Sequence, residues 1–305
     1  MALLRKKISV ADSKKDLPMN LTTHPYRSVL YIPASKERAL DKARGLACDA
    51  IIFDLEDAVA PEAKTEARQT LAAALREGGF GKRAKIVRIN ALTTEWGNED
   101  VRVLRDAGAD IFLLPKVNTP TDVDALADML GPDMPIWVMM ETPVSVFNAR
   151  EIAAHAQVTG LVTGTNDLTK DLGCRMRPDR LPLLCALQMI VMAARAARGV
   201  VAIDGVYNRF RDGDGLKAEC EQGRDLGFDG KTLIHPAQID VTNTAFAPTQ
   251  SEIDLAERQI AAFEDSQGAG QGVAVVDGQI VENLHVVAAK RLLAKARAIS
   301  DMAAE

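Results

Sequence analysis

Short apolar segments alternate with helical segments along most of the chain, and this alternation constrains the fold more than any other feature. The strand-like segments are residues 28–33, 50–57, 85–90, 111–116, 135–141, 160–164, 200–204 and 228–231. The helical segments that follow them are residues 36–43, 61–78, 97–108, 120–131, 145–155, 180–198, 214–227 and 236–246. The strand segments are apolar almost throughout, as parallel strands are when both faces of their sheet are covered. The pattern therefore predicts an α/β fold, a closed (β/α)8 TIM barrel.

An open, doubly wound sheet is the alternative for such alternation. It commonly carries a glycine-rich GxGxxG turn after its first strand, and no such motif follows residues 28–33. Eight consecutive strand–helix units also suit a closed barrel better. We assign residues 25–247 to the barrel.

The pattern changes at both ends of the chain. After Pro248, an amphipathic helix (251–265), a glycine-rich stretch (266–272), a hairpin with Asp277-Gly278 at its turn and a basic-faced helix (283–302) follow in order. This helix–hairpin–helix extension, residues 248–305, is too small for a core of its own. We expect it to pack on the barrel or on a neighbouring subunit as a lid or oligomerisation segment. We predict that residues 1–24 form a flexible tail.

Composition narrows the class of partner. The formal net charge of −5 argues against nucleic acid, which needs a basic face. No apolar run approaches membrane-spanning length, and the first twenty residues lack the apolar block of a secretory signal. The four cysteines are scattered without metal-ligand spacing, as in reduced cytoplasmic proteins. We expect a cytoplasmic protein.

Polar residues follow nearly every predicted strand, at the end where barrel enzymes carry their active sites. One such residue alone would be an ordinary solvated cap, but charges after nearly every buried segment indicate a common site. These strand-end residues are Asp54, Glu56, Asp57, Arg88, Asn90, Lys116, Glu141, Thr165, Asn166, Asp167, Asp204, Lys231 and His235.

Glu141 and Asp167 are the strongest metal-ligand candidates. Each comes just past a buried segment, and the two segments are neighbours in the predicted barrel. Carboxylates without a soft ligand nearby suit a hard, oxygen-binding cation. The crowding of acidic groups at this end also favours a divalent ion, because like charges repel. We predict Mg²⁺, with Mn²⁺ as an alternative.

Two basic strand-end residues each admit two interpretations. Arg88 is suited to bind a substrate carboxylate bidentately, but it could instead form a structural ion pair with Asp54 or Glu56. We favour the first. Lys116 could form a Schiff base in a metal-free aldolase. The adjacent carboxylates should keep its ammonium charged, so we favour a supporting role.

Near the first strand, Arg38 and Lys42 lie four residues apart on one helical face, beside Tyr31 at the strand end. Two cations and an aromatic ring could bind a phosphorylated ligand that carries adenine. A solvated helix face explains the same spacing.

The ordered motifs of the chain resemble those of the citrate lyase β-subunit-like proteins in the HpcH/HpaI aldolase superfamily. That group includes malyl-CoA, β-methylmalyl-CoA and citramalyl-CoA lyases, and the resemblance covers roughly residues 27–300. The matching motifs are RSVLYIP, FDLEDAV, VRIN, LPKV, ETP, GTNDL and GFDGKTLIHPAQ.

The resemblance implies roles for individual residues. Glu141 and Asp167 take the metal-ligand positions, and Arg88 takes the position that binds the substrate carboxylate. We expect Asp54, Glu56 and Asp57 to orient metal-bound waters and Arg88, with Lys116 and Asp204 in the same supporting layer. The residues that fall at CoA-contacting positions are Tyr31, Arg38, Lys42, Ile234 and His235.

One position departs from the family pattern. Many members carry an Asp in a DGxMID pattern, which reaches a neighbouring subunit's site as an acid. Here the segment reads DGQIVEN, so Glu282 occupies that position with a side chain one methylene longer. We predict Glu282 as the acid, with Asp277 as the fallback, although an Asp-Gly turn is sufficient reason for Asp277.

The expected reaction is Mg²⁺-dependent cleavage or formation of a 3-hydroxyacyl-CoA, giving an acyl-CoA and a small 2-oxo acid such as glyoxylate or pyruvate. The resemblance also implies a homotrimer or homohexamer. Four alternatives stay open: a malyl-CoA thioesterase, a citrate lyase β subunit acting on an acyl-carrier thioester, a metal-dependent pyruvate aldolase without CoA, and a non-catalytic CoA-ester-binding homologue.

Overall fold

A closed barrel of eight parallel strands forms the body of the protein, as the alternating pattern predicted. The computed structural model describes residues 23–268, 270 and 272–303. Neighbouring strands pair in chain order, and the last strand pairs with the first. The strands are β1 (Ser28–Pro33), β2 (Ala50–Asp54), β3 (Ala84–Arg88), β4 (Ile111–Leu114), β5 (Ile136–Met140), β6 (Val158–Thr163), β7 (Val201–Asp204) and β8 (Gly230–Leu233).

Helices surround the barrel. They are α1 (Glu37–Ala43), α2 (Lys64–Glu77), α3 (Gly97–Leu104), α4 (Pro120–Leu130), α5 (Pro143–Phe147), α6 (Ala149–Ala153), α7 (Thr165–Asp171), α8 (Leu184–Ala196), α9 (Gly213–Leu226) and α10 (Ile239–Phe246). Local signals explain α4 well. Pro120 occupies its first turn, Asp122 accepts the Thr119 backbone N–H at 2.8 Å, and Gly131 ends it at a φ of 83°.

Helix prediction failed in two places near the barrel's carboxyl end. The segment that forms α7 was assigned no helix, because TNDLTKD is short and polar and shows no apolar periodicity. The single helix predicted over 145–155 is instead two short helices, α5 and α6, which meet at Asn148. The first error matters, because it places Asp167 on the first turn of a helix.

Close packing fills the barrel interior. Strand side chains alternate between the interior and the helix layer, and strands β1 to β7 each contribute to the inner core. Trp137 is fully buried in that core, facing Gly160 of the neighbouring strand. A Cβ on Gly160 would lie 2.5 Å from two atoms of the Trp137 ring, so the indole requires glycine there.

The C-terminal extension has the predicted helix–hairpin–helix order. It comprises α11 (Gln250–Gly268), β9 (Ala274–Val276), β10 (Gln279–Val281) and α12 (Asn283–Ala303). A small cluster that includes Phe263, Val281 and Val286 joins these elements. Farther along α12, Lys295 Nζ donates to the Asp229 carbonyl at 3.2 Å, just before β8. The last turns of α12 therefore pack at the amino end of the strands, opposite the strand ends that carry the candidate site.

The predicted flexible tail, residues 1–24, lies outside the described residues except for its last two. Of these, His24 is anchored: its Nε2 lies 2.8 Å from the Asp49 carbonyl, and its ring packs edge-on against Tyr26. His24 therefore belongs to the amino end of the barrel. Among the helices that the structure describes, none is long and apolar enough to cross a membrane.

We expect Gly160→Ala to destabilise the protein by about 1–3 kcal/mol, the usual cost of overpacking a filled core. Gly213→Ala is the matched control, since a Cβ there meets nothing within 4 Å at the exposed start of α9. Chemical denaturation should give a clearly lower midpoint for Gly160→Ala only. Equal midpoints for the two variants would contradict the close contact with Trp137.

Candidate active site

The interior row of side chains becomes polar at the carboxyl end of the strands. Tyr31, Asp54, Arg88 and Glu141 each lie two residues beyond an inner-core residue of the same strand, so they point toward the barrel axis. We call this end of the barrel the mouth. The four predicted residues therefore converge from β1, β2, β3 and the end of β5.

Glu141 lies just past β5 and is almost fully buried. The backbone N–H of Lys116 donates to its Oε1 at 2.7 Å, which fixes the carboxylate. A Cβ on Gly164, just past the end of β6, would lie 2.4 Å from Glu141 Cβ and 2.8 Å from Oε2, so this position must be glycine. Burial raises the pKa of Glu141, and the charge of Lys116 offsets this only in part.

Asp167, on the first turn of α7, lies beside Glu141 across the ammonium of Lys116. Lys116 Nζ is 2.6 Å from Asp167 Oδ2 and 3.4 Å from Glu141 Oε1. Burial alone would raise the pKa of Asp167, but the hydrogen bond and charge of Lys116, the hydrogen bond with Glu141 and the charge of Lys170 together outweigh burial, and the net pKa is lowered. The structure thus brings the two predicted metal ligands together at one cation.

Lys116 itself is held charged. Burial disfavours its ammonium, but the hydrogen bond to Asp167 and the charge of Glu141 outweigh burial and raise its pKa. A Schiff base requires the neutral amine, so the metal-free aldolase interpretation is disfavoured. Lys116 also has a φ of 57°, a left-handed conformation that residues other than glycine rarely adopt.

Arg88 is buried and braced by carboxylates. Its Nε and Nη2 donate to the two oxygens of Asp54 at 2.7 and 2.6 Å, and its guanidinium lies 4.9 Å from the centre of the Tyr31 ring. Nη1 is 2.8 Å from Glu56 Oε2 and 3.8 Å from Asp57 Oδ2. The ion pairs that were the structural alternative for Arg88 are therefore present, and they fix the orientation of its remaining edge.

Glu56 is the least satisfied partner of Arg88. Its Oε2 is buried without a hydrogen bond of acceptable geometry, although Arg88 Nη1 is close. Burial outweighs the charge of Arg88 and raises the pKa of Glu56 to about 8. A carboxylate from a ligand could replace Glu56 at Arg88 more easily than it could replace the bidentate Asp54.

The donor set fits a hard divalent cation. Glu141 and Asp167 supply carboxylate oxygens only, and Lys116 already places a positive charge between them. In the described part of the chain, no group of three or more His, Cys, Asp or Glu residues could hold a metal. Mg²⁺ commonly needs only one or two carboxylates, because water and substrate complete its octahedron.

The predicted supporting role of Asp204 is wrong. Ile203 packs in the inner core, so the next side chain faces the helix layer. There the buried Asp204 carboxylate accepts from Arg180 Nη1 at 2.7 Å and from Lys231 Nζ at 3.1 Å, while Lys231 also donates to Glu219 at 2.7 Å. This buried ion cluster ties β7 and β8 to α9.

The residues predicted to contact CoA do not all share one surface. Tyr31 faces the barrel interior, where its hydroxyl contacts Met139 Sδ at 3.5 Å, whereas Arg38 and Lys42 are exposed on α1. Ile234 and His235 are exposed just past β8, which pairs with β1. Strand alternation turns Tyr31 toward the barrel axis, so it lies apart from the exposed Arg38 and Lys42, and its contact with a ligand stays a prediction. The roles of the four exposed residues stay predictions.

Several contacts at the mouth carried no signal in the sequence. Phe210, in the loop after β7, stacks on His235 with ring centres 4.6 Å apart. Asn208 of the same loop donates to Asn166 at 2.8 Å and so joins the loops after β6 and β7. Single polar or aromatic residues in loops have no periodicity, so only the closed barrel reveals that these loops meet.

Comparison with known proteins supplies a family and relatives. Residues 27–236 match the family described as HpcH/HpaI aldolase/citrate lyase. The chain is 59% identical over 281 residues to a (3S)-malyl-CoA thioesterase of Cereibacter sphaeroides, covering 92% of this chain and 98% of that protein. It is 35% identical over 283 residues to the citrate lyase subunit beta of Leuconostoc mesenteroides subsp. cremoris, covering 89% and 93% of the two chains.

Among solved structures, the fold is similar to protein CitE from Mycobacterium tuberculosis, determined in complex with magnesium, acetoacetate and coenzyme A. The TM-score is 0.75 at 29% sequence identity, with 90% of this chain and 99% of that chain covered. RipC from Yersinia pestis is similar at a TM-score of 0.66 and 31% identity, covering 76% and 99%.

The corrected role of Asp204 makes a prediction. Asp204→Asn should leave Lys231 and Arg180 buried with too little negative charge, which typically costs about 3–5 kcal/mol of unfolding free energy. The control is the exposed Asp214→Asn on the same helix layer, which should change little. Denaturant unfolding measures both. If Asp204→Asn kept full stability yet lost divalent-metal affinity, the original assignment to the mouth would be restored.

Proposed function

Because the chain belongs to the HpcH/HpaI aldolase/citrate lyase family, we propose that it is a divalent-metal-dependent enzyme that hydrolyses a malyl-CoA-like thioester. The main support for this proposal is the 59% identity to a (3S)-malyl-CoA thioesterase over 98% of that protein's length. Hydrolysis was one of the alternatives left open by the sequence, with carbon–carbon cleavage preferred. The order of preference is now reversed.

The metal would be held by Glu141 and Asp167. Both present carboxylate oxygen at the mouth, and the CitE structure from M. tuberculosis is a magnesium complex. We propose Mg²⁺ for this chain, with Mn²⁺ as an alternative. When bound, the ion supplies a Lewis acid to the substrate oxygens and lowers the pKa of bound water.

Arg88 would bind the distal carboxylate of the malyl group. Asp54 fixes the guanidinium through two short hydrogen bonds, so its orientation is set before substrate arrives. The edge at Nη1 faces Glu56, whose Oε2 lacks a well-formed hydrogen bond. A substrate carboxylate at this edge would make the charge-assisted pair that Glu56 makes poorly.

The CoA portion would extend over α1 and the loop that follows β8, which lie beside one another at the mouth. Arg38 and Lys42 on α1 can form ion pairs with its phosphates. Beside them, Ile234 offers an exposed apolar side chain, and His235 offers a ring that already stacks on Phe210. These elements are adjacent, because β8 closes the barrel against β1.

Hydrolysis has simple chemical requirements. Water attacks the thioester carbonyl, the C–S bond breaks, and the products are a carboxylate and the CoA thiol. Carbon–carbon cleavage differs, because it leaves a CoA enolate that must receive a proton. Glu282 stands where many family members carry the acid, and hydrolysis needs no acid at that point.

Carbon–carbon cleavage is the second candidate. It is favoured by the family's description and by the 35% identity to a citrate lyase subunit beta. The same metal site and the same Arg88 would serve it. The partners would then be an acyl-CoA and a small 2-oxo acid, with Glu282 as the proton donor.

The extension would complete an oligomer, which we propose as a homotrimer or homohexamer. Glu282 is exposed, and large apolar side chains near it are also exposed: Val275, Ile280, Leu284 and Val287. We propose that Glu282 serves a neighbouring subunit's mouth, as the family resemblance implies.

A product assay tests the proposal directly. Incubation with (3S)-malyl-CoA and Mg²⁺ should release CoA and malate in equal amounts, identified by mass spectrometry. EDTA and Glu141→Ala should each abolish the reaction, because the first removes the metal ion and the second removes one of its ligands. Glyoxylate and acetyl-CoA as the main products would instead support the lyase. Full activity in EDTA would refute metal dependence in either case.

Glu282→Gln separates the two reactions further. Loss of a general acid that a reaction uses typically lowers its rate by about 10²–10⁴-fold. Because the proposed hydrolysis does not use Glu282, we expect the rate of malate release to stay within about twofold of that of the unmodified protein. Any carbon–carbon cleavage should fall sharply. Loss of malate release in Glu282→Gln, with the oligomer intact by light scattering, would contradict the proposal that hydrolysis needs no acid at position 282.

A further inference from the structure

Lys116 makes two different contacts with the metal-ligand pair, one through its backbone and one through its side chain. The backbone N–H holds Glu141 Oε1 at 2.7 Å, and the ammonium lies 2.6 Å from Asp167 Oδ2 and 3.4 Å from Glu141 Oε1. The ammonium thus sits between carboxylates that come from two different elements, the end of β5 and the first turn of α7.

We propose that the ammonium of Lys116 is a built-in counter-ion for Glu141 and Asp167, which a divalent cation must displace to bind there. This inference rests on the metal site of the proposed function and adds a competition that sets metal affinity. The ammonium occupies one oxygen of each carboxylate, Asp167 Oδ2 and Glu141 Oε1, at the place where an ion held by both groups would approach. Two cations this close repel, so each weakens binding of the other.

The geometry favours such an exchange. The Lys116 side chain is 40% exposed, so the ammonium can swing toward solvent without opening the core. The backbone contact to Glu141 does not depend on where the side chain points, so one ligand stays fixed during the exchange. The left-handed backbone, with φ at 57°, directs both contacts at once.

The counter-ion also has a reason to exist. Glu141 is almost fully buried, and an uncompensated carboxylate there is costly. The ammonium neutralises the pair whenever no metal is bound. The two carboxylates therefore stay close together without a metal, but the ammonium weakens metal binding because the ion must compete with it.

Charge and position can be separated with a matched control. Lys170, on α7, is exposed, and its charge lowers the pKa of Asp167 from outside the carboxylate pair. Removing Lys170 deletes a nearby positive charge without vacating the ligand oxygens. Removing Lys116 does both.

The test is Mn²⁺ binding to metal-free protein, measured by electron paramagnetic resonance of the free ion. We expect Lys116→Gln to bind Mn²⁺ about tenfold or more tightly, because a close ion pair no longer competes. Lys170→Gln should change the affinity by less than about threefold, as expected for a screened surface charge. Unchanged or weaker binding in Lys116→Gln would overturn the proposal.

Two further measurements keep the test decisive. Lys116→Gly removes the side chain in a backbone conformation that glycine adopts freely, so it serves if Lys116→Gln fails to fold. In the unmodified protein, added Mg²⁺ should raise amine labelling of Lys116 but not of Lys170, read by peptide mass spectrometry; no rise would count against displacement. These readouts use no malyl-CoA, so failure to release malate would refute the proposed hydrolysis and leave this inference standing.

Discussion

Strand alternation inside a closed barrel decides which polar residues can reach the site. Every second side chain points to the axis, and at the carboxyl end this row continues as Tyr31, Asp54, Arg88 and Glu141. Because each strand is hydrogen-bonded to two neighbours, no strand can turn about its own axis to change which side chains face the barrel interior. The braces between Asp54 and Arg88, and between Lys116 and Glu141, are consequences of this fixed direction.

The same constraint explains where sequence reasoning succeeded and where it failed. The barrel and the meeting of Glu141 with Asp167 could be predicted, because both follow from counting strands. The direction of Asp204 could not, because β7 is apolar on both faces and shows no alternation that would mark its inward side. The inward direction of Tyr31 could not be predicted for the same reason. The short polar helix α7 had no periodicity to predict it.

The dual contact of Lys116 lies beyond any pattern in the sequence. A lysine after an apolar segment predicts a charged strand end and no more. Its left-handed backbone, and the reach of its ammonium to a carboxylate two strands away, depend on the loop between β4 and α4 being packed against its neighbours. The role of Lys116 is therefore set by the packing of its loop, which the residues next to it in the sequence do not indicate.

Charge balance at the mouth links the structure to the chemistry. Asp54 and Arg88 neutralise one another, and Lys116 compensates only part of the charge on Glu141 and Asp167. A divalent cation in place of the ammonium would neutralise the pair in full, and it would do so equally for hydrolysis and for carbon–carbon cleavage, since both begin by binding an oxygen-rich acyl group. On the proposed function, the mouth would select the substrate class, while the acid or water above it would select the reaction. That group would come from outside the barrel's own row of residues, so Glu282 would bear on the choice of reaction and the metal ligands would not.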